Sequence, residues 1–281
     1  FENKFGRIPI ELDSVIAAAY DGSHIKSVMD FLQNNDKDPT LRREFAGIRP
    51  YHFVKSTQGI WKSPKGNLHA IELTGQVLTE AAQERGTSIL QAVRDIRTTD
   101  FKRTLTFTNS YGSIEFSAGK AFEHPDVYNN SPTRALLDWM RNNPDLRIKD
   151  EFIDFKLWYL SIVPDGTYKG EHKYDIGRKA TQIVVHELYK KYGSLEGVIM
   201  YVSMEDFQKT RTYRNSFGEV SYTLDPIFNS VYGRSPARAV MDYLQNHRDR
   251  RIREKFAFLE ENHFLGGPET RARKMEAAKL G

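Results

Sequence analysis

The sequence predicts an α+β protein built by tandem duplication of a unit of about 106 residues. Three observations carry this. The motif aromatic-x-Asn-[Ser/Lys]-aromatic-Gly-x-[Ile/Val] begins at Phe1, Phe107 and Tyr213, with starts 106 residues apart both times. A second block, rich in apolar residues and centred on an Asp, follows each copy at 28–35, 136–143 and 240–247. A third, Asp-Phe-x-[Arg/Lys]-Thr, occurs at 100–104 and 206–210. A period of this length exceeds that of a solenoid repeat and suits a small domain. The expected organisation is a first unit at 1–100 that starts inside its hairpin, a second at 101–206, and a third, partial unit at 207–281. Three copies of the hairpin-plus-helix half and two of the intervening half result. Residues before Phe1 have then been removed, or the first copy is a cap lacking its leading strand. A chain starting with Phe rather than Met is expected of a processed or cut terminus.

Within a unit the elements follow in order. Arg103 to Thr108 alternates polar and apolar residues, as does Ser113 to Ser117, which is the pattern of half-buried strands. Asn109-Ser110-Tyr111-Gly112 between them has turn chemistry. The same pattern recurs from Arg211 to Tyr222, so each unit opens on a β-hairpin. A helix starts at Ser131-Pro132 and again at Ser235-Pro236, where serine can cap and proline fits the first turn. Ala135, Leu136, Trp139 and Met140 form one apolar stripe, and Ala239, Val240, Tyr243 and Leu244 another. A shorter basic helix follows, ending near Phe152 or Phe256. Then comes a longer amphipathic helix, at 68–85 and 180–192, stopped by Gly86 and Gly193. The apolar run 197–202 reads as a strand; its counterpart 90–96 is open between helix and strand. A mixed sheet flanked by helices is the expected assembly of each hairpin, helix and helix–strand segment.

Composition narrows the function. The chain has no cysteine, which excludes disulfides, cysteine-ligated zinc, iron–sulfur ligation and a thiol nucleophile. No apolar run approaches the roughly 18 residues of a membrane span, and Phe1-Glu2-Asn3-Lys4 does not open a signal peptide. No membrane partner is expected, and the location is cytoplasmic or within an intracellular or viral particle rather than secreted. P-loop, dinucleotide fingerprint and nucleophile elbow are all missing. No cofactor, metal or catalytic residue is assigned, and the expectation is a protein without enzymatic activity. Asp30, Asp138 and Asp242 recur in all three apolar helices and read as structural, pairing with a nearby Arg or capping an amide. Pro164-Asp165 with Glu171-His172-Lys173 superficially resembles a metal-dependent nuclease arrangement, with spacing short for two strands. His186-Glu187 lacks a second His at the metal-binding interval.

The net charge is +4. Residues 209–281 carry 14 Lys/Arg against 9 Asp/Glu, so the excess belongs to the C-terminal quarter. The densest cluster is 248–255, in which five of eight residues are cationic. Guanidinium clusters engage phosphates, and repeated units add avidity. The expectation is therefore a nucleic-acid-binding repeat protein whose basic hairpins and helices contact phosphates through Arg250, Arg251, Arg253, Lys255, Arg211, Arg214, Arg238, Lys102 and Arg103. The alternatives are a structural or assembly protein, such as a virion component, whose repeats form protein–protein surfaces, and a metal-dependent nuclease using Asp165, Glu171 and Lys173. The turn aromatics Phe5, Tyr111 and Phe217 suit either packing or stacking.

Overall fold

The computed structural model describes residues 2–4, 6–7, 12–53, 66–161 and 172–280. It is an α+β structure dominated by helices, with three two-stranded antiparallel hairpins among the described residues. The chain divides into two compact units, Phe1–Asp154 and Phe155–Gly281.

The first unit begins with β1 (Glu2–Asn3) and β2 (Gly6–Arg7), then α1 (Leu12–Tyr20), α2 (His24–Gln33) and α3 (Pro39–Glu44). A 3-10 turn at Pro50–His52 follows, then the long helix α4 (Gly66–Arg85), α5 (Ile89–Arg94) and a 3-10 turn at Thr98–Lys102. The hairpin β3 (Thr104–Asn109) and β4 (Gly112–Ser117) leads to α6 (Gly119–Glu123), α7 (Pro132–Arg141) and α8 (Leu146–Phe152). The second unit opens on a 3-10 turn at Leu157–Tyr159. It runs through α9 (Lys173–Tyr192), α10 (Leu195–Tyr201), α11 (Met204–Gln208), β5 (Arg211–Asn215), β6 (Gly218–Tyr222), α12 (Asp225–Tyr232), α13 (Pro236–Gln245) and α14 (Arg250–Lys255). A 3-10 turn at Glu261–Phe264 and α15 (Pro268–Leu280) close it.

The hairpin motif has a local cause. Asn109 pairs with Gly112 across the turn, and its Oδ1 accepts the Tyr111 N–H at 2.9 Å; Asn215 pairs with Gly218 and accepts the Phe217 N–H at 3.0 Å. The side-chain amide thus holds the two-residue loop as an Asx turn. Gly112 and Gly218 take φ of +133° and +130°, a region that side chains with a Cβ rarely enter. The serine caps also form: Ser23, Ser131 and Ser235 accept the N–H of Lys26, Arg134 and Arg238 at 3.2 to 3.3 Å. Gly193 ends α9 in the left-handed region, with its N–H on the Tyr189 carbonyl.

Each core gathers on its long helix. α4 buries Ala70, Leu73, Val77, Leu78 and Ala81 against α5, α7 and the Thr98–Lys102 turn. α9 buries Ala180, Val184, Val185 and Leu188 against α10, α12 and α13. A stacked phenylalanine pair joins the segment before each of the hairpins β3–β4 and β5–β6 to the helix after it. Phe101 lies on Phe122 with centroids 4.3 Å apart, and Phe207 on Phe228 at 4.0 Å, all four fully buried.

Two expectations need correction. The run 197–202 is not a strand: Val198 and Ile199 lie fully buried in α10, and the 90–96 counterpart is α5 for most of its length. Consequently no mixed sheet exists among the described residues; each hairpin stands alone beside helices. A short apolar run fits a buried strand and a buried helix equally well. Here the ends decide. Ser194 caps α10 on the Gly197 N–H at 3.0 Å and Ser88 caps α5 on the Gln91 N–H at 3.1 Å. At the far end of α10, Arg271 donates to the carbonyls of Ile199, Met200 and Val202 at 3.2, 3.0 and 3.1 Å, satisfying groups a helix end leaves open.

Candidate nucleic-acid interface

The recurring aspartate sets the local geometry. Asp30, Asp138 and Asp242 each accept a tyrosine O–H from ten residues upstream: Tyr20 at 2.7 Å, Tyr128 at 3.1 Å and Tyr232 at 2.7 Å. Each also accepts an amide N–H from the Asn four residues on, Asn34, Asn142 and Asn246. The expected structural role holds, with a tyrosine as its main partner. Burial and the neighbouring carboxylate both push the hydroxyls of Tyr128 and Tyr232 well above the ordinary tyrosine range, so both remain O–H donors. In the second unit Asp242 gains a cation, the Arg178 guanidinium from α9 at 3.1 Å, which also engages Asp175 at 2.5 Å. Burial would lower the Arg178 pKa; the two carboxylates more than offset this and raise it.

Beside this network α9 and the end of α13 enclose an open cleft of about 580 Å3. Arg178, Lys179 and Arg248 line it, with Asp175 the sole acidic residue among its lining side chains. Tyr243 and His247 add an aromatic wall, their rings perpendicular with centroids 5.2 Å apart. His247 Nδ1 accepts the Asp249 N–H at 3.0 Å, which leaves Nε2 as the N–H of the neutral ring. Arg253 donates to the carbonyls of His247 and Arg248 at 2.6 and 3.0 Å and so holds the loop that carries Arg248. Lys179 and Arg248 are exposed and make no ion pair among the described residues. Their cationic charge is thus not neutralised by a neighbouring carboxylate, which is the condition for phosphate contact. In the first unit Ile71 of α4 takes the place of Arg178 and is buried, Glu72 takes that of Lys179, and Gly75 lies against the Trp139 indole.

The nine cations singled out from the sequence do not converge. Arg211 is nearly buried, bound bidentately to Glu187 at 2.9 and 2.8 Å and to the Lys209 and Asp206 carbonyls. Arg103 bridges Glu84 at 2.8 Å and Asp100 at 2.7 Å. Arg214 pairs with Glu219 across the β5–β6 ladder. Arg238 pairs with Glu261 at 2.7 Å, Arg250 with Glu254 at 2.6 Å, Lys255 with Glu196 at 2.8 Å, and Lys102 lies 4.0 Å from Glu123. Arg253 caps carbonyls as described. Of the nine, Arg251 and Arg253 make no ion pair among the described residues, and only the Arg251 side chain makes no hydrogen bond there either, its backbone N–H resting on Asp249. Sequence reasoning missed Arg178, Lys179 and the Tyr243–His247 pair. The adjacent Arg178-Lys179 on the long helix is visible in the sequence, but nothing local brings it to residue 248. Of the nuclease-like set, Asp165 and Glu171 lie outside the described residues, while Lys173 opens α9 with its ammonium 4.8 Å from the Tyr174 ring centroid. Among the described residues no three His, Asp or Glu side chains gather as a metal site, and no helix is long and apolar enough to cross a membrane. Of the turn aromatics, exposed Tyr111 packs on Phe45 at 5.5 Å, Phe217 is half-buried, and Phe5 lies outside the described residues.

No family model, curated protein or solved structure matches this chain.

Proposed function

We propose that the protein is a non-enzymatic nucleic-acid binder, and that phosphates enter the cleft between α9 and the α13–α14 loop. The observation that carries this is the pair of unneutralised cations, Lys179 and Arg248, flanking the Tyr243–His247 aromatic wall. Cations bind the backbone while a ring offers a face to a base, which is how single strands are held without sequence readout. The hairpin cations contribute to the fold, because carboxylates already occupy them. Exposed Arg251 extends the basic surface along α14. The location expected for such a protein is inside a cell or a particle.

The chain also reads as a tandem duplication with a period of about 106 residues. Three tyrosine–aspartate–asparagine sets with the same internal spacing support this, as do two phenylalanine stacks and two Asx-turn hairpins.

Fluorescence anisotropy with labelled single- and double-stranded oligonucleotides across a salt series tests the binding reading. The two unneutralised cleft cations predict a log–log salt slope of about −1.4 for a single strand. Combined Lys179→Ala and Arg248→Ala should flatten that slope by about 1 to 2. No binding at micromolar protein and about 100 mM salt would exclude it.

A further inference from the structure

Three ten-residue helices in this chain share one start and one hydrogen-bond pattern, yet only two of them are covered. In α7, Leu136 is 0% exposed and Trp139 5%; in α13, Val240 is 0% exposed and Tyr243 half-buried. Their cover is the long helix of the same unit, α4 over α7 and α9 over α13. In α2 the positions at the same distance from the capping serine are Val28 and Phe31, and they are 43% and 61% exposed. Neither α1 nor α2 has a single buried residue, and Leu12 and Val15 of α1 are 66% and 55% exposed. α2 packs on α1, α3 and the Pro50–His52 turn, and its Asp30 already holds Tyr20 and Asn34 as the covered helices hold theirs. The face is thus preformed. Large apolar side chains exposed together on one helix in this way mark a binding site.

The two covered helices say what chemistry fits. At the tyrosine hydroxyl the long helix presents a small residue, with threonine four positions on: Ala70 and Thr74 in α4, Gly177 and Thr181 in α9. Thr74 Oγ1 lies 3.4 Å from the Tyr128 hydroxyl, and a Cβ on Gly177 would stand 2.7 Å from that of Tyr232. Beside Gly177, Arg178 neutralises Asp242. Asp30 is exposed and has no cation partner among the described residues, so the charge on α2 asks for the α9 version of this helix.

We propose that the exposed face of α1 and α2 is the docking site for an amphipathic helix of another polypeptide, with the chemistry of α9. That helix is about 20 residues long. It places a small residue against Tyr20, an arginine against Asp30, and an apolar stripe over Val28 and Phe31. This goes beyond the nucleic-acid reading and does not depend on it.

The test uses the full chain and a fluorescein-labelled synthetic peptide with the sequence of residues 173–192. Saturable binding is expected by anisotropy, weakened at least tenfold by Phe31→Asp and about threefold to tenfold by Asp30→Asn. The matching peptide substitution, arginine to alanine at the position of Arg178, should weaken binding to the wild-type chain and have no further effect on Asp30→Asn. Circular dichroism of each variant excludes unfolding as the cause, since Asp30 and Phe31 are exposed. No saturable binding up to about 0.5 mM peptide, or binding indifferent to Phe31→Asp, overturns the proposal. A dimer in sedimentation equilibrium that Phe31→Asp dissolves also overturns it, because a second copy would then be the occupant.

Discussion

Lowering the pH from about 7.5 to about 5.0 should cost the first unit about 2 kcal/mol through His52 alone. The ring is 2% exposed, with Phe116, Tyr51 and Phe107 at centroid distances of 4.4, 4.5 and 5.1 Å. Its Nδ1 accepts the Arg49 N–H at 2.9 Å, and Nε2 has no hydrogen-bond partner among the described residues. Burial, followed by the charge of Arg49, brings the His52 pKa down from 6.5 to about 4. A depressed value in the fold means that the unfolded chain takes up the proton first. Stability is therefore full above pH 6.5 and drains as the pH falls toward 4. Between the two chosen values the unfolded ring becomes almost fully protonated and the folded ring about one-tenth so, and linkage converts that difference into the figure above. Glu72, held below the ordinary carboxylate range first by its contact with His69 and also by Arg49, stays ionised throughout this window. His52→Asn keeps an acceptor near the Nδ1 position and does not titrate. Amide exchange in α4, followed by mass spectrometry and corrected for intrinsic rates, reads the opening of this unit by itself. The wild type should lose about 2 kcal/mol more than His52→Asn over the window. Equal losses would refute the argument.

Two further expectations follow from the second unit. Arg211→Lys should cost about 2 kcal/mol in chemical denaturation, because the nearly buried fork to Glu187 cannot be remade by an ammonium. Unchanged stability with weakened oligonucleotide binding would instead make Arg211 a phosphate ligand. Gly177→Ala should destabilise by about 1 to 3 kcal/mol, since the added methyl would meet the Tyr232 ring at 2.7 to 2.9 Å. A neutral or stabilising effect on thermal unfolding would show that Tyr232 is free to retreat.

What the sequence alone determined is what short-range chemistry controls. The Asn-x-aromatic-Gly turns close as expected because the asparagine amide, the loop N–H and the positive-φ glycine are within three residues of one another. Ser-Pro helix starts and the Gly193 stop are equally local, as are the apolar stripes of α7 and α13. The basic character of 248–255 was legible too, but its use was not. Charge is a property of composition, whereas availability depends on which carboxylates lie within reach. Glu187 is 24 residues from Arg211, Glu196 is 59 from Lys255, and no periodicity announces either pairing. The Ser194 cap of α10 is local, but only the tertiary structure supplies Arg271 from α15 to the carbonyls at its far end. The same holds for the partner of each recurring aspartate, a tyrosine from the preceding turn of the fold, and for the cleft that joins Lys179 to Arg248. The cleft depends on packing of α9 against elements some 70 residues away. Sequence pattern records which face of a helix is apolar; it does not record what will cover that face, and in α1 and α2 the difference is exposed to solvent.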